Sequence, residues 1–510
     1  MAHLARPGAV DDPGPLDLRL VPAALTAWGV SVLAILWPAT ARPMVLIAAG
    51  AALAALRARR RGVPGALVTG VCAVAVVAAG FAVSVGLRSH AVAHHPLAGA
   101  QGTTVTVTVI PTESAVAVGS TREMFRATLQ ELDGRRAFGR VVVFAAGPDV
   151  DAVMVGRPLT FAARASRPRR HDLTVAVLTA TGAPVAGRAG PVARAAHALR
   201  HRFVDAARRE LPARQAALLP GLVLGDTTAV PAGTAREFRA AGLTHLMAVS
   251  GANVTIVCGA VLLSARLVGP RGAVGLAAVA LAGLVVVVQP TASVLRAAVM
   301  GAIALLGVVA ARQRQAIPSL ASAVLLLLAL APQLAVDIGF ALSVAATAAL
   351  VVVAPRWSAR LVGRGWPKPL ADATAIALAA HLVTAPLIAG ISGRVSLVAA
   401  VANLAVAAVI APVTVLGSAA AVLCGLCPVA AAVLIRFTGP EVSWVGAVAH
   451  TAGSVPGATL PVPDGPAGAL WVIAVGVALI VGWRWRAGRV VVAAGAIAAL
   501  SWSLAGLLGG

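Results

Sequence analysis

Residues 218–257 read LLPGLVLGDTTAVPAGTAREFRAAGLTHLMAVSGANVTIV. An apolar run closes on Leu224, Gly225 and Asp226, and a charged amphipathic segment follows. A second apolar run then carries His245, Ser250 and Asn253, and its pattern predicts one helix over 243–265. At 100° per residue these three polar groups fall within a sector of about 140°, so they can face one lumen. Polar groups are costly inside a membrane helix, and three on one helix point to a lined cavity or a buried interface. The alternative is that each bridges helices by hydrogen bonding, which needs no pore.

Composition places that helix in a bilayer. The chain has 510 residues, 59% of them hydrophobic and 12% charged, with a mean hydropathy of +0.91. A soluble protein carries about 25% charged residues. Runs of roughly 20 apolar residues recur and suffice to cross a bilayer. The expected fold is a polytopic α-helical membrane protein of about 11–13 spans with a small extracytoplasmic β-barrel. Spans are expected at 20–40, 43–56, 64–87, 243–265, 272–289, 292–311, 317–332, 336–354, 371–390, 396–428 (as two short or broken segments), 468–483 and 490–508. The basic run at 57–61 places its loop in the cytoplasm, and with it the N-terminal tail of 1–19. Residues 20–87 then form the N-terminal spans, and the third span delivers the chain outside. The polar, Pro- and Asp-containing start does not read as a cleavable signal peptide.

From 88 the hydropathy falls and the period becomes two. TTVTVTVI at 103–110 alternates hydroxyl and apolar faces, and strands are also expected at 124–130, 140–144, 159–165 and 173–180. Asp133-Gly134 suits a hairpin turn. Five short strands over 88–185 suggest a small closed barrel of the OB-fold type. A connector at 186–217 contains PVARAAHALRHRFVDAARREL, in which Ala195, Leu199, Phe203 and Ala207 recur every four residues. Its apolar face is expected either in the membrane interface or against the barrel. A membrane core at 218–430 follows, then an amphipathic segment and further spans at 431–510.

The net charge of +23, from 41 Lys+Arg against 18 Asp+Glu, has two ordinary sources: cytoplasmic loops that fix topology, and attraction to a polyanion. Residues 88–214 hold about twice as many Arg as Asp plus Glu. A long external segment is exempt from the topology rule, so this excess points to a polyanion. The four cysteines lie in apolar runs, and the C-x-x-C at 424–427 reads as packing. His90, His94 and His95 lack an acidic or cysteine partner nearby and do not read as a metal site.

Ordered motifs add a resemblance. The order L-G-D, E-F, G-L-x-H-L-x-x-x-S-G-x-N-V is similar to the core signature of the ComEC family of competence proteins. SVLRAAVMG at 293–301, LAPQLAVDIGFALSVAATAAL at 330–350 and APLIAGISGRVSLVAAVANLAVAAVIAP at 385–412 resemble its later motifs. Ala331 stands where the family has an acid, and Ala408 where it has a proline. The resemblance implies an inner-membrane channel that imports single-stranded DNA during natural transformation. Its path would be lined by Asp226, His245, Ser250, Asn253, Arg296, Asp337, His381 and Asn403. A DNA-binding OB domain would use Arg126, Arg135, Arg136, Arg140 and Arg164, with Phe125 and Phe161 as stacking platforms. The implied partners are single-stranded DNA, the lipid bilayer, a DNA receptor, a separate nuclease and a cytoplasmic ATP-driven DNA motor. No cofactor, metal or catalytic residue is expected: the H-x-H-x-D-H cluster of the family's nuclease-like domain is not found after Gly465, nor is there a phosphate-binding G-x-x-x-x-G-K-[ST] loop. A transporter or flippase for another anionic polymer or lipid is the competing function. An intramembrane hydrolase using Ser250 and His245 is disfavoured, since five residues on one helix set the two side chains about 140° apart.

Overall fold

The computed structural model describes residues 17–118, 122–146, 153–249, 251–289, 292–309 and 316–482. Three helices open the chain: α1 (Val21–Leu36), α2 (Ala41–Arg60) and α3 (Gly65–Ala93). Arg57, Arg59 and Arg60 occupy the last turn of α2, where cations complement the helix dipole, and Gly62 at φ +88° reverses the chain. With 29 residues, α3 is about 44 Å long. It outlasts a bilayer core of about 30 Å and carries the chain through α4 (Pro96–Gly99) to the sheet.

The sheet domain follows from period-two patterning. Its strands are β1 (Thr104–Pro111), β2 (Val116–Val118), β3 (Arg122–Leu132), β4 (Arg135–Ala146), β5 (Leu159–Ser166), β6 (Thr174–Ala180) and β7 (Val185–Ala186). The five long strands lie where the alternation places them. Val105, Val107 and Val109 turn inward and meet Phe125, Ala127, Leu129, Val141, Val143, Leu159, Phe161 and Leu178, while the alternating threonines of β1 face out. β1 pairs with β3, β3 with β4, β4 with β6, β6 with β5, and β5 again with β1. Only the β4–β6 pair in that circuit is parallel. Asp133 (φ +47°) and Gly134 (φ +76°) make the tight β3–β4 turn.

The remaining helices are α5 (Pro191–Glu210), α6 (Ala213–Leu224), α7 (Ala232–Ala240), α8 (Gly251–Ser264), α9 (Pro270–Val288), α10 (Ala292–Val309), α11 (Ala316–Leu330), α12 (Ile338–Val352), α13 (Ala354–Val362), α14 (Lys368–Ser392), α15 (Ala399–Leu423), α16 (Pro428–Phe437), α17 (Gly439–Ser454) and α18 (Pro466–Gly482). β8 (Arg394–Ser396) pairs antiparallel with β9 (Thr459–Pro461). Past its first turn α6 is apolar on all sides, and from Leu218 to Leu224 every residue is buried, so this part forms the centre of the bundle. Around it pack Phe203 and Ala207 of α5, Phe238 of α7, Val406, Val413 and Ala420 of α15, Ile435 of α16 and Val445 of α17.

Three expectations change. Residues 243–265 are not one helix: a 3-10 turn at Thr244–Leu246 is separated from α8, so His245 and Asn253 share no helical face. Ser250 lies outside the described residues. Segment 396–428 is not broken into two spans: α15 runs 25 residues through Pro412, and α6 and α17 pack along it. The apolar face of α5 turns to the bundle, where Arg200, Phe203 and Ala207 are buried, and only its first turn meets the sheet domain, with Ala193 beside Gly156. Among the described residues six helices are long and apolar enough to cross a membrane, and seven more apolar helices have 10–17 residues. The protein is a multi-pass helical membrane protein. The expected span at 490–508 lies outside the described residues.

Candidate functional site

The last carbonyls of a helix have no partner within it. At the end of α6 two side chains from other helices serve them. Asn253 of α8 donates Nδ2 to the Leu222 carbonyl at 3.2 Å, and Arg200 of α5 donates Nη1 to the Leu224 carbonyl at 3.2 Å. The same Nη1 reaches the Val287 carbonyl of α9 at 3.0 Å. One guanidinium therefore sits at the negative ends of two helices. Gly225 at φ +70° then turns the chain so that Asp226 meets Arg200, with Nη2 to Oδ2 at 3.1 Å. The two side chains are 9% and 15% exposed, so this is a buried pair. Thr228 donates both N–H and Oγ1 to Asp226 Oδ1. Burial alone would raise the Asp226 pKa, but Arg200 and the Thr228 hydrogen bonds more than reverse that, and the carboxyl is held below its ordinary value.

That direction has a pH consequence. A depressed carboxyl contributes stability above its unfolded value of about 3.9, and the contribution is lost as pH falls through the folded value. Thermal stability in detergent is expected to fall below about pH 4 in the wild type, and less steeply in Asp226→Asn. Superimposable acid profiles for the two proteins would contradict the pairing.

A second centre forms around Arg296 of α10, which is 5% exposed. Its Nε donates to Ser343 Oγ of α12 at 2.8 Å, and Nη1 lies 3.2 Å from Met300 Sδ. Nη2 lies beside Gly251, the first residue of α8: a Cβ there would stand 3.0 Å from it. No carboxylate pairs with Arg296 among the described residues. Its side chain thus joins three of the sequence motifs. The fourth joins through Gly242, which at φ +71° packs against Ala399, and through Ser396 Oγ, which donates to the Ala240 carbonyl at 2.7 Å.

The other expected path residues are more dispersed. Asp337 caps α12, accepting the Phe340 N–H at 2.8 Å. Asn403 donates to the Ala399 carbonyl one turn back at 2.8 Å. His381 is half-buried in α14, and its ring has no hydrogen-bond partner among the described residues. His245 is exposed on its 3-10 turn.

On the sheet domain, Arg126, Arg136 and Arg140 lie on adjacent strands β3 and β4, with Arg135 exposed at the hairpin end. Arg164 is exposed on β5, two strands away around the circuit. Arg126 pairs with Glu113 at 3.1 Å. Burial pushes the Arg140 guanidinium below its ordinary value, and Asp172 partly offsets this. Both arginines lie within electrostatic reach of Asp337. Ser114 donates to Gln289 Oε1 at the end of α9 at 2.8 Å, so this side of the domain rests on the membrane helices near α10. The two aromatics expected to stack do not face out: Phe125 is 2% and Phe161 4% exposed, both in the sheet core. Phe138 is 64% exposed and lies on the outer face of β4 between Arg136 and Arg140.

Arg200, Ser343, Gly251 and Phe138 belong to these centres without having been singled out as site residues. The outward phase of Phe138 is readable from β4, since Ala137, Val141 and Val143 take the opposite phase. The burial of Arg200 is signalled only by its spacing of three and seven to Phe203 and Ala207. Among the described residues no group of three or more His, Cys, Asp or Glu could hold a metal ion. The family model described as Competence protein matches residues 222–487. No curated protein and no solved structure matches the chain.

Proposed function

This chain belongs to the competence protein family, and from that premise we propose that it is the channel passing single-stranded DNA across the inner membrane into the cytoplasm during natural transformation. In this reading the N-terminus is cytoplasmic and the sheet domain extracytoplasmic. The domain is an OB-fold barrel: its five long strands follow the order 1-2-3-5-4-1 with strands 3 and 5 parallel, which supports that reading. Arg136, Phe138 and Arg140 alternate on one face of β4, offering phosphate contacts and one stacking platform. The chain itself is a conduit rather than an enzyme. A DNA receptor, a separate nuclease and a cytoplasmic ATP-driven motor would supply capture, strand removal and energy.

The observation that carries the proposal is the family match, which begins in α6 and runs beyond α18, covering both α8 and α10. The test is entry of labelled DNA into the cytoplasm. A deletion strain is expected to lose it, the wild-type gene to restore it, and a normally inserted Phe138→Ala, Arg140→Gln double variant to restore it only in part. Normal entry in the deletion strain would reject the channel and favour a transporter of another anionic polymer or lipid.

A further inference from the structure

α5 carries two histidines one helical turn apart, His197 and His201. Residues four apart on a helix lie side by side on one face. Here the two rings also turn toward each other. Nε2 of His197 lies 2.7 Å from Nε2 of His201, with the ring centroids 4.2 Å apart and the planes at 75°. The same spacing recurs at the end of α3 without that result. His90 and His94 stack with their planes at 23°, and His94 Nδ1 turns back to the His90 carbonyl at 2.9 Å. Spacing alone therefore does not bring the nitrogens of a histidine pair to one point, and on α5 they converge.

Two converging imidazole nitrogens are a donor set for a late transition metal. Zinc–nitrogen bonds of about 2.0–2.1 Å at a tetrahedral angle set the donors about 3.3 Å apart, so each ring has to move by only about 0.3 Å. Without an ion, one Nε2–H donates to the other Nε2, and that hydrogen bond keeps the pair in nearly the same bite. His197 lines a cavity of about 410 Å³ between α5, the end of α9 and the sheet domain, and His201 is exposed. Water therefore reaches both rings and completes the coordination of an open site. Of the arginines within electrostatic reach of His197, Arg200 is paired with Asp226, and Arg157 is only partly buried, where water screens it.

We propose that His197 and His201 form a chelating site for one divalent late transition-metal ion such as zinc, with its remaining positions held by water. Magnesium and calcium take oxygen ligands, and two imidazoles give them no reason to bind. The position of the site has a consequence for the bundle. Arg200, which serves the ends of α6 and α9, lies on the turn that the two histidines bracket. An ion bridging His197 and His201 fixes that turn and favours the folded chain over the unfolded one. The site does not depend on what the protein carries across the membrane.

The experiment uses the full chain, purified in detergent through a tag without histidine and stripped with a chelator. Zinc binding is followed by equilibrium dialysis, and stability by the thermal midpoint. His197→Gln and His201→Gln are each expected to weaken zinc binding by about tenfold or more, since even an outer partner of a metal ligand costs that much. The double variant His90→Gln, His94→Gln is expected to bind as the wild type does. A further double variant, His201→Arg with Arg202→His, keeps composition and charge but moves the imidazole about 100° further round the helix. It should lose binding as fully as His201→Gln. Both changes fall on exposed positions, so the answer does not hang on the folding of His197→Gln. Zinc should raise the midpoint of the wild type and not of the single variants, and magnesium should raise neither. Zinc binding by the wild type no tighter than by His201→Gln or by the shifted variant overturns the site. So does loss of binding in the His90, His94 variant, or a midpoint rise of equal size in the single variants, since either puts the ion elsewhere.

Discussion

Arg200→Leu is expected to destabilise the protein by about 3–5 kcal/mol, because it leaves Asp226 buried without its cation. The same change removes the donor to the last carbonyls of α6 and α9. Three elements that meet on the buried guanidinium would lose their common tie. Thermal unfolding of the purified chain in detergent reads the effect as a large drop in midpoint and a fall in membrane yield. The double variant Arg200→Leu, Asp226→Leu removes both charges and is expected to recover part of the loss, since a buried pair replaced by apolar groups is often tolerated. A single variant no less stable than the wild type would mean that the pair contributes nothing. A double variant as unstable as the single would place the cost in the uncapped helix ends.

Gly242→Ala is expected to be nearly as damaging for a different reason. The new Cβ would stand 2.4 Å from the Ala399 Cβ and 3.2 Å from its Cα, so backbone must move. The residue also holds φ +71°, a conformation that costs a non-glycine residue about 1–3 kcal/mol, to which overpacking adds about 1–3 kcal/mol. Gly102→Ala is the control: φ is +80° there, but the added Cβ meets nothing within 4 Å. It should lose only the conformational part. Equal unfolding midpoints for the two variants would sink the claim that the start of α15 is pressed against Gly242.

Much of this architecture is legible in the chain itself. Strand β1 announces itself by Thr-Val alternation, and the inward phase of Phe125, Ala127 and Leu129 against Arg126, Thr128 and Gln130 is equally plain. The same phase turns Phe125 into the sheet core, away from any stacking face. The break before α8 is harder to see, because Met247, Ala248 and Val249 are as apolar as the helix that follows. The continuity of α15 is masked by Pro412, which reads as a breaker in water but is tolerated where neighbouring helices enclose the backbone. The motif residues Asp226, Asn253 and Arg296 stand out as polar groups in apolar surroundings. Their partners do not: Arg200 and Leu224 are 24 residues apart and Arg296 and Ser343 are 47 apart, and no local pattern encodes such a meeting.

The circuit of strand pairings that returns from β5 to β1 has a consequence for association. An open sheet offers an unpaired edge, which another chain can extend by adding a strand, productively or as an aggregate. Here the long strands β1, β3, β4, β5 and β6 each have neighbours on both sides, and the short β2 and β7 lie beside β3 and β5. Backbone-templated recruitment is therefore largely closed to this domain. Whatever docks on it must be recognised by side chains, and a basic surface can meet a flexible polymer many times over without ever being capped by it.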